Sequence, residues 1–548
     1  SRRYYSDHFE NSFQFLKSST QQCCWYSLEN LSNYHNMNES ISYVQRFYSN
    51  KNIFITGGTG FLGIAIVEKI LRSCPDVAGI YLLMRPKKGK QIVERLHELT
   101  QNEVFETLLQ QASSDLFCKL HAVAGDVGEE GLGLSNDDRV ILSKTIDVVI
   151  HSAATLDFQA TLRPTVQINL LGTRRVMQLC KEMQHLKCVV HVSSAYVNSF
   201  LKETDEKLYE VHESAEKVID LVNTLEDEAL DQLTDKLLKD HPNTYTFTKH
   251  LAEHEVNKLA PIVPCGVVRP SMITGAWKEP VPGWTISKNG PQGFLMGAAK
   301  GVIRRLPIGL DLIYDYIPVD IVVNQILVTG YQISEKSTSE ISIYHCTSST
   351  CNPFRWESVK DQVNEYLHMY PLKSAVWYPH LKFLPSLRLY KLSAVLVHFV
   401  PAYFLDFITK LFGGRPILVR LHTNVWESLN RLEKFIFSEW KFNNPNVQEL
   451  CQKISAEDKQ LFNIDIKSLQ WPEYFVNLAQ GVRRYLNNEH PKTLPAARKK
   501  DSILFVVDML FKILLIAAIW MLISKLLGIS MTSSILIIPI LYFVFRLL

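Results

Sequence analysis

The chain has 548 residues, too many for one ordinary domain and enough to bury a large core. Its 58 basic and 55 acidic residues leave a net charge of +3, which argues against a nucleic-acid partner bound through bulk charge. The 10 cysteines include no C-x-x-C pair and no zinc-ligand spacing, so a reduced, cytosol-facing protein without a metal site is expected.

The N-terminal region is polar, carries scattered aromatic residues and shows no clear period. We expect residues 1–45 to form an extension of uncertain order. Its first residues, SRRYYSDHFENSFQFLKSS, lack the apolar core of a secretory signal.

From residue 46 to about residue 345, short apolar runs alternate with amphipathic stretches. The apolar runs are NIFIT, GIYLLMR, KLHAVAGDV, DVVIHSAA, CVVHVSSAY and CGVVRPSMITG, and the helix-like AIVEKILRS lies between the first two. Such alternation is typical of βαβ units, and nearly continuous apolar strands suit burial on both faces. The sequence therefore predicts an α/β fold with a Rossmann-type, doubly wound parallel sheet over residues 46–345.

A glycine-rich segment, TGGTGFLG, lies between the first predicted strand and the helix that follows. Glycines allow the backbone to approach a phosphate, and the helix N-terminus offers it free N–H groups. We therefore assign the segment to a dinucleotide cofactor, with a plain tight turn as the alternative. The assigned residues are Thr56, Gly57, Thr59, Gly60, Phe61, Leu62 and Gly63.

The end of the second strand indicates which dinucleotide is preferred. Arg85 stands where a protein that reads the ribose 2′-hydroxyl would have Asp or Glu, and Lys87 and Lys88 follow it. Because a guanidinium binds a 2′-phosphate well, NADPH is favoured over NADH, with a solvated basic loop as the alternative.

Two later strand ends complete the predicted cofactor site. Asp126, followed by Val127, offers a carboxylate to the adenine amino group. The small residues of HSAAT, including Ala153, leave room for the dinucleotide to cross the sheet edge.

The predicted catalytic residues are Ser194, Tyr245 and Lys249, in HVSSAYVN and YTFTKHLAE. The i, i+4 spacing places the phenol and the ammonium on one face of a helix. We expect the ammonium of Lys249 to lower the pKa of Tyr245, so that Tyr245 protonates a carbonyl oxygen during its reduction. Ser194 would donate a hydrogen bond to the same oxygen, and Lys249 would also reach the cofactor.

The C-terminal third differs in texture. Residues 346–490 contain long amphipathic stretches and predict a mainly helical domain. Residues 491–548 form a basic linker and an apolar tail, which we read as a membrane anchor with its basic approach on the cytosolic side. The uncharged run Leu526–Phe545 is long enough to span a bilayer, and the shorter run Ile513–Ser524 could do so only if Lys512 or Lys525 snorkels. A buried helical hairpin of a soluble domain is the alternative.

Together these motifs resemble the fatty acyl-CoA reductases, within the extended short-chain dehydrogenase/reductases. The resemblance rests on TGGTGFLG, HVSSAYVN, YTFTKHLAE, VVRPSMITGAWKEPVPGW, YIPVDIVVN, CTSSTCNPFRW, HFVPAYFLDF and FNIDIKSLQWPEY, in the family's order over about residues 40–500. It implies NADPH-dependent reduction of long-chain acyl-CoA to fatty alcohol through an aldehyde, supplying wax or ether lipid synthesis. We also assign Arg269 and Pro270, within the longest motif, to the cofactor site. Similar animal proteins lie on the peroxisomal membrane and face the cytosol; the endoplasmic reticulum is the second expectation.

Some positions depart from the family pattern. Gly58 replaces a usual alanine and Ser194 a usual threonine, and both changes are chemically tolerable. Asp157 stands where a basic residue is common and would weaken binding of anionic CoA. The segment from residue 202 to 240 either caps the substrate site or is a solvated helical insert. A membrane-bound sterol dehydrogenase or epimerase, or a catalytically silent lipid- or cofactor-binding paralogue, are the other functions considered.

Overall fold

The computed structural model describes residues 42–111, 113–336, 340–530 and 533–547. Most of the predicted N-terminal extension, residues 1–41, lies outside the described residues. The folded body has begun by Ser42, whose hydroxyl donates to Asp458 Oδ1 at 2.6 Å. Tyr48, in the first described helix, donates from its hydroxyl to the carbonyl of Leu327 at 2.9 Å.

A seven-stranded, fully parallel sheet forms the centre of the reductase part. The strands of the chain are β1 (Asn52–Thr56), β2 (Gly79–Met84), β3 (Leu120–Ala124), β4 (Val148–His151), β5 (Cys188–Val192), β6 (Glu203–Thr204), β7 (Cys265–Pro270), β8 (Met272–Thr274), β9 (Arg305–Pro307), β10 (Tyr316–Pro318), β11 (Ser342–Cys346), β12 (Lys382–Leu384) and β13 (Lys441–Phe442). The order in the large sheet is β3-β2-β1-β4-β5-β7-β11. Each step from one parallel strand to the next needs a crossover, and the strand order reverses its direction at β1. The predicted doubly wound α/β fold is confirmed.

The α-helices fall into three groups along the chain. Those of the reductase part are α1 (Tyr43–Tyr48), α2 (Phe61–Ser73), α3 (Ile92–Thr100), α4 (Glu106–Gln111), α5 (Asn136–Thr145), α6 (Leu162–Thr165), α7 (Gly172–Cys180), α8 (Ala215–Thr224), α9 (Asp227–Leu238), α10 (Thr244–Asn257), α11 (Pro291–Ala299) and α12 (Val319–Ser334). The mainly helical region contains α13 (Val363–Met369), α14 (Leu387–Ala394), α15 (Val400–Leu411), α16 (Leu418–Arg431), α17 (Glu433–Ile436), α18 (Pro445–Lys453), α19 (Ala456–Leu461) and α20 (Trp471–Gly481). The C-terminal group is α21 (Leu494–Leu527) and α22 (Ile537–Leu547).

The WKEPVPGW segment is held against two helices of the reductase part. The carboxylate of Asp320 accepts hydrogen bonds from the backbone N–H groups of Trp277, Lys278 and Glu279 at 2.8 to 3.1 Å. Glu279 then pairs with Lys69 of α2, directly behind the glycine-rich loop. This family-typical segment therefore braces the cofactor helix.

Among the residues that the structure describes, two helical stretches are long and apolar enough to cross a membrane, Leu387–Leu411 and Pro491–Leu527. Of the 18-residue apolar window in the second, only 6% is buried. Of the two apolar runs, Leu526–Phe545 does not form one helix, because α21 ends at Leu527 and Gly528 takes a left-handed conformation at φ 63°. The long apolar helix instead runs through Lys512 and ends just past Lys525.

Candidate active site

The glycine-rich loop connects β1 to α2 with its backbone packed tightly. Gly57 has φ +78°, and a Cβ there would lie 2.8 Å from the backbone nitrogen of Ala153. A Cβ on Gly63 would lie 2.2 Å from the carbonyl oxygen of Gly57. Gly60 is the N-cap of α2, and no side chain caps its first N–H groups. Free donors at a helix N-terminus fit the pyrophosphate of a dinucleotide.

Thr56 positions this loop from within the core. Its hydroxyl is fully buried, bonds to Nδ1 of His151 at 2.7 Å and accepts the N–H of Ala153 at 3.3 Å. Nε2 of His151 bonds in turn to the hydroxyl of Thr173 at 3.0 Å. Burial, with the nearby Lys249 charge, lowers the pKa of His151 to about 3, so this network is neutral.

Asn169 is a site residue that the sequence reasoning missed. It is fully buried, and its Oδ1 accepts the backbone N–H of Thr155 at 2.9 Å while Nδ2 donates to the hydroxyl of Thr248 at 3.2 Å. Asn169 thus joins the HSAAT loop to the catalytic helix α10. The signal for it was one of two amide side chains in the otherwise apolar run VQINLL.

Arg85 and Asp126 lie together after the ends of β2 and β3. We call this region and the glycine-rich loop, residues 56–63, the cofactor cradle. Arg85 Nη1 donates to Asp126 Oδ2 at 2.8 Å, and Asp126 Oδ1 accepts the N–H of Gly128 at 3.0 Å. Arg95, which the sequence reasoning also missed, donates to the carbonyl of Arg85 and to the hydroxyl of Thr59. Two guanidiniums therefore flank this end of the loop. In the sequence, Arg95 is recognisable as the one arginine of the helix that follows Arg85.

Phe61, Leu62 and Val127 were also assigned to the cofactor site, and their side chains pack against other parts of the protein. The ring of Phe61 packs against Trp284 at 5.3 Å, so its backbone N–H is the group left to face a phosphate. Val127 is buried, and Leu62 is partly buried against the main core.

The structure brings Ser194 near Tyr245 and Lys249, and the last two lie on one helix. Tyr245 and Lys249 lie on α10, whose N-cap Asn243 accepts the N–H of Thr246 at 2.9 Å. Lys249 Nζ donates to the carbonyl of Val192, at the end of β5, at 2.7 Å. The Ser194 hydroxyl, two residues after the end of β5, lies near the Tyr245 phenol and opposes the rise in its pKa.

Burial shifts the two ionisable groups in opposite directions. It raises the pKa of Tyr245 to about 12, although the hydrogen bond with Ser194 opposes this rise. It lowers the pKa of Lys249 to about 8, although the Glu253 charge opposes this fall. The expectation that Lys249 brings the pKa of Tyr245 below its usual value is therefore wrong, since desolvation dominates. Tyr245 is a protonated phenol at neutral pH and can donate its proton.

Arg269 was assigned to the cofactor site, but its side chain binds groups of the protein itself. The guanidinium is fully buried and donates from Nε and Nη2 to both carboxylate oxygens of Glu253 at 2.9 and 2.7 Å. It also donates to the carbonyls of Asp205 and Lys207. The ion pair ties β7 to α10, and the guanidinium is thus no cofactor ligand. Pro270, next in the chain, is buried at the end of β7.

The mouth of the site is lined by the segment after HSAAT. The ring of Phe158 lies edge-on to Tyr245 at 5.4 Å. Asp157 is exposed, and its Oδ1 accepts the N–H of Gln159 at 2.9 Å, so it closes its own turn. The question of whether Asp157 weakens CoA binding stays a prediction.

The segment from residue 202 to 240 supplies helices α8 and α9. Buried Val218 and Val222 share one apolar cluster with Phe247 and Leu251 of α10. The segment therefore packs against the helix that carries Tyr245 and Lys249.

The chain is similar in sequence to a described protein family and to named relatives. Residues 55–326 and 397–489 match two parts of a family described as male sterility protein. A Drosophila melanogaster protein, provisionally named a fatty acyl-CoA reductase, is 54% identical over 92% of this chain and 98% of its own. Fatty acyl-CoA reductase 1 of Rattus norvegicus is 35% identical over 87% of this chain and 92% of its own.

A solved structure confirms the fold at low identity. The terminal R domain from the myxalamid biosynthetic pathway superposes with a TM-score of 0.53 at 19% identity, over 80% of this chain and 91% of its own. The similarity to named relatives covers nearly the whole chain and includes the glycine-rich loop and the segments of Ser194, Tyr245 and Lys249. The chain therefore belongs to the fatty acyl-CoA reductase family of nicotinamide-dependent oxidoreductases.

Proposed function

We propose that the protein reduces long-chain fatty acyl-CoA to fatty alcohol in two steps, with NADPH as the reductant. The observation that carries the proposal is the convergence of Ser194, Tyr245 and Lys249 at the end of β5, in a chain similar to fatty acyl-CoA reductases over nearly its whole length.

NADPH is favoured by the two guanidiniums at the cradle. Arg85 holds Asp126 with one of its donors, and Arg95 is fixed beside it through Thr59. Two cations suit a 2′-phosphate, and their paired placement satisfies a doubly charged group better than a neutral hydroxyl.

The residues of the site suit both reductive steps. Two NADPH molecules, bound in turn, would each supply one hydride, the first to the thioester carbonyl with loss of CoA as the thiol and the second to the aldehyde. The hydroxyls of Ser194 and Tyr245 would together hold the substrate oxygen, and the Tyr245 phenol would give it a proton. Lys249 fixes the end of β5 through the Val192 carbonyl and keeps positive charge beside the developing oxyanion.

The apolar helix α21 suits a membrane anchor that keeps the reductase part on the cytosolic side. Its exposed apolar surface follows the basic residues Arg498, Lys499 and Lys500. We place the protein on the peroxisomal membrane, with the endoplasmic reticulum second, where its alcohols would serve wax or ether lipid synthesis.

The test is to incubate the detergent-solubilised full chain with NADPH and acyl-CoAs of graded length, and to measure fatty alcohol by mass spectrometry. Formation of alcohol supports the proposal. NADPH binding without alcohol or aldehyde would favour a silent lipid- or cofactor-binding paralogue instead.

A further inference from the structure

The helical region carries an exposed apolar stripe on one long rod. Helices α14 and α15 are joined through a π-helical turn into a single stretch, Leu387–Leu411. Exposed apolar residues recur along it at Leu389, Leu392 and Leu396, and then at Val400, Phe404, Phe407 and Leu411. Steps of three and four residues place each set on one side of the rod. An exposed stripe of this length on a soluble protein marks a contact surface.

The rod and α16 form a hairpin with a built interior. We call residues 387–431 the outer hairpin. Asp406 accepts the backbone N–H groups of Ile417, Leu418 and Val419 at 2.8 to 3.1 Å and so fixes the start of α16. Within the hairpin, His398 stacks on His422 with ring centroids 4.9 Å apart. The apolar stripe is therefore not needed to close the hairpin.

The outer hairpin is connected to the apolar helix α21. The backbone N–H of Arg304 donates to Nε2 of His398 at 3.1 Å, and its guanidinium reaches Asp508 of α21 at 3.4 Å. Trp377 donates to the same carboxylate at 2.6 Å and packs against Phe511 at 5.5 Å. The hairpin and α21 are thus attached to the same edge of the reductase body.

Charge on the outer hairpin favours an anionic surface. It contains six basic residues against two acidic ones, and one of the acidic residues, Asp406, is used within the turn. Lys410, Arg415 and Arg420 flank the tip, where Phe412 is 86% exposed. A basic tip with apolar side chains is typical of a segment that lies in a lipid interface.

We infer that the outer hairpin lies within one leaflet of a phospholipid membrane, with its stripe and Phe412 among the acyl chains and its basic residues at the head groups. This inference rests on the proposed anchoring through α21. The hairpin lies in the leaflet rather than crossing it, because α16 carries Arg420, Asn424 and Glu427, which the hydrocarbon core does not accept.

The placement brings the substrate end of the site to the lipid. Phe435 of α17, directly after the hairpin, contacts Tyr196 with ring centroids 5.6 Å apart. The N–H of Tyr196 donates to the hydroxyl of Ser194 at 3.2 Å. Acyl substrate held in the leaflet would therefore meet the protein beside its catalytic residues.

The test uses the full chain in vesicles of phosphatidylcholine and phosphatidylserine. An environment-sensitive fluorescent amino acid replaces Phe412, or Val93 of α3 as a control that is 65% exposed on the reductase body. Nitroxide-labelled lipids should quench the probe at position 412 by about twofold or more and leave the probe at position 93 unchanged. Replacing the stripe residues by Phe404→Ser and Phe407→Ser should weaken this quenching, whereas Val140→Ser and Ile141→Ser on α5 should not.

Other results separate the possible failures. A probe at position 412 that is quenched no more than the control, while the protein still floats with the vesicles, overturns the inference but leaves the anchor in place. A probe that is shielded yet unquenched also overturns it and indicates cover by a second copy or by residues 1–41. A chain that does not float with vesicles overturns the anchor and the inference together.

Discussion

Tyr245 and Lys249 lie one helical turn apart, and burial shifts the pKa of both side chains. Burial disfavours the charged form of each, so Tyr245 keeps its proton well above neutral pH while Lys249 loses its proton at a pKa of about 8. A proton donor next to a cation that titrates near working pH is an arrangement suited to reduction of a carbonyl.

We predict that Tyr245→Phe lowers the turnover number by about 10³-fold, because the proton donor is lost while the cofactor cradle is unchanged. The affinity for NADPH, measured by fluorescence titration, should stay within about twofold of the parent's, since the cradle itself is intact. The control is Tyr43→Phe, at an exposed tyrosine that is distant from Tyr245 in the sequence. Turnover that survives in Tyr245→Phe would rule out this acid.

The turnover number should fall as the pH rises above about 8. The folded-state pKa of Lys249 lies below its ordinary value, so its ammonium is present below about pH 8 and is lost above it. In Lys249→Arg the charge persists, and any remaining activity should stay level to about pH 10. A pH–rate profile of the two proteins checks this, and identical descending limbs would contradict the role given to Lys249.

Arg85→Glu should reduce the preference for NADPH over NADH by about 100-fold, because a carboxylate repels the 2′-phosphate that a guanidinium binds. The ratio of kcat/KM for the two cofactors measures this. Lys87→Glu makes the same charge change in an exposed part of the same loop and should alter the ratio far less. Equal ratios in Arg85→Glu and the parent would remove Arg85 from the cofactor site.

Residue patterns predicted the site where the relation between residues is local. The four-residue spacing of Tyr245 and Lys249 suffices to place them on one helix face. Arg95 and Asn169 could not be found in this way, because their partners come from other elements. The partner of Arg269 is Glu253 on a different element, so its structural role was also hidden.

At the scale of elements, the WKEPVPGW segment acts as a brace between α2 and the helical region. Lys69 of α2 is nearly fully buried, pairs with Glu279 and donates to the carbonyl of Leu461 at 2.5 Å. In the sequence this segment was recognisable only as a motif of the family. Its structural role depends on contacts between Glu279, Lys69 of α2 and Leu461 of α19, which are distant in the chain.

Glu279→Gln should therefore lower the free energy of unfolding by about 3 kcal/mol, because it leaves the Lys69 ammonium buried without its counter-charge. Glu98→Gln, which breaks an exposed pair with Lys90, should cost less than about 1 kcal/mol. Urea unfolding of the full chain in detergent compares the two. Equal effects would show that the buried pair does not hold α2 in place.

The amphipathic character of α8 and α9 was visible in the sequence, but their packing partner was not. A helix with one apolar face buries it against whichever surface the fold provides, and here that surface is α10. The choice between a cap and a solvated insert therefore required the tertiary structure.

At the scale of the whole molecule, the alternation of strands and helices was enough to predict the sheet, and the change in texture after residue 346 predicted the helical region. Composition also predicted an apolar C-terminal segment. It did not locate the helix end at Gly528, because a run of uncharged residues does not reveal where a glycine terminates a helix.

We propose that one site of the protein carries out both reductions. The direct measurement uses NADPH with deuterium at the transferred position, a long-chain acyl-CoA and the full chain, with the products analysed by mass spectrometry. We predict a fatty alcohol that carries two deuterium atoms on C1, with two NADPH consumed for each CoA released. An aldehyde with a single deuterium as the end product, or CoA release without any deuterium in the product, would contradict the account.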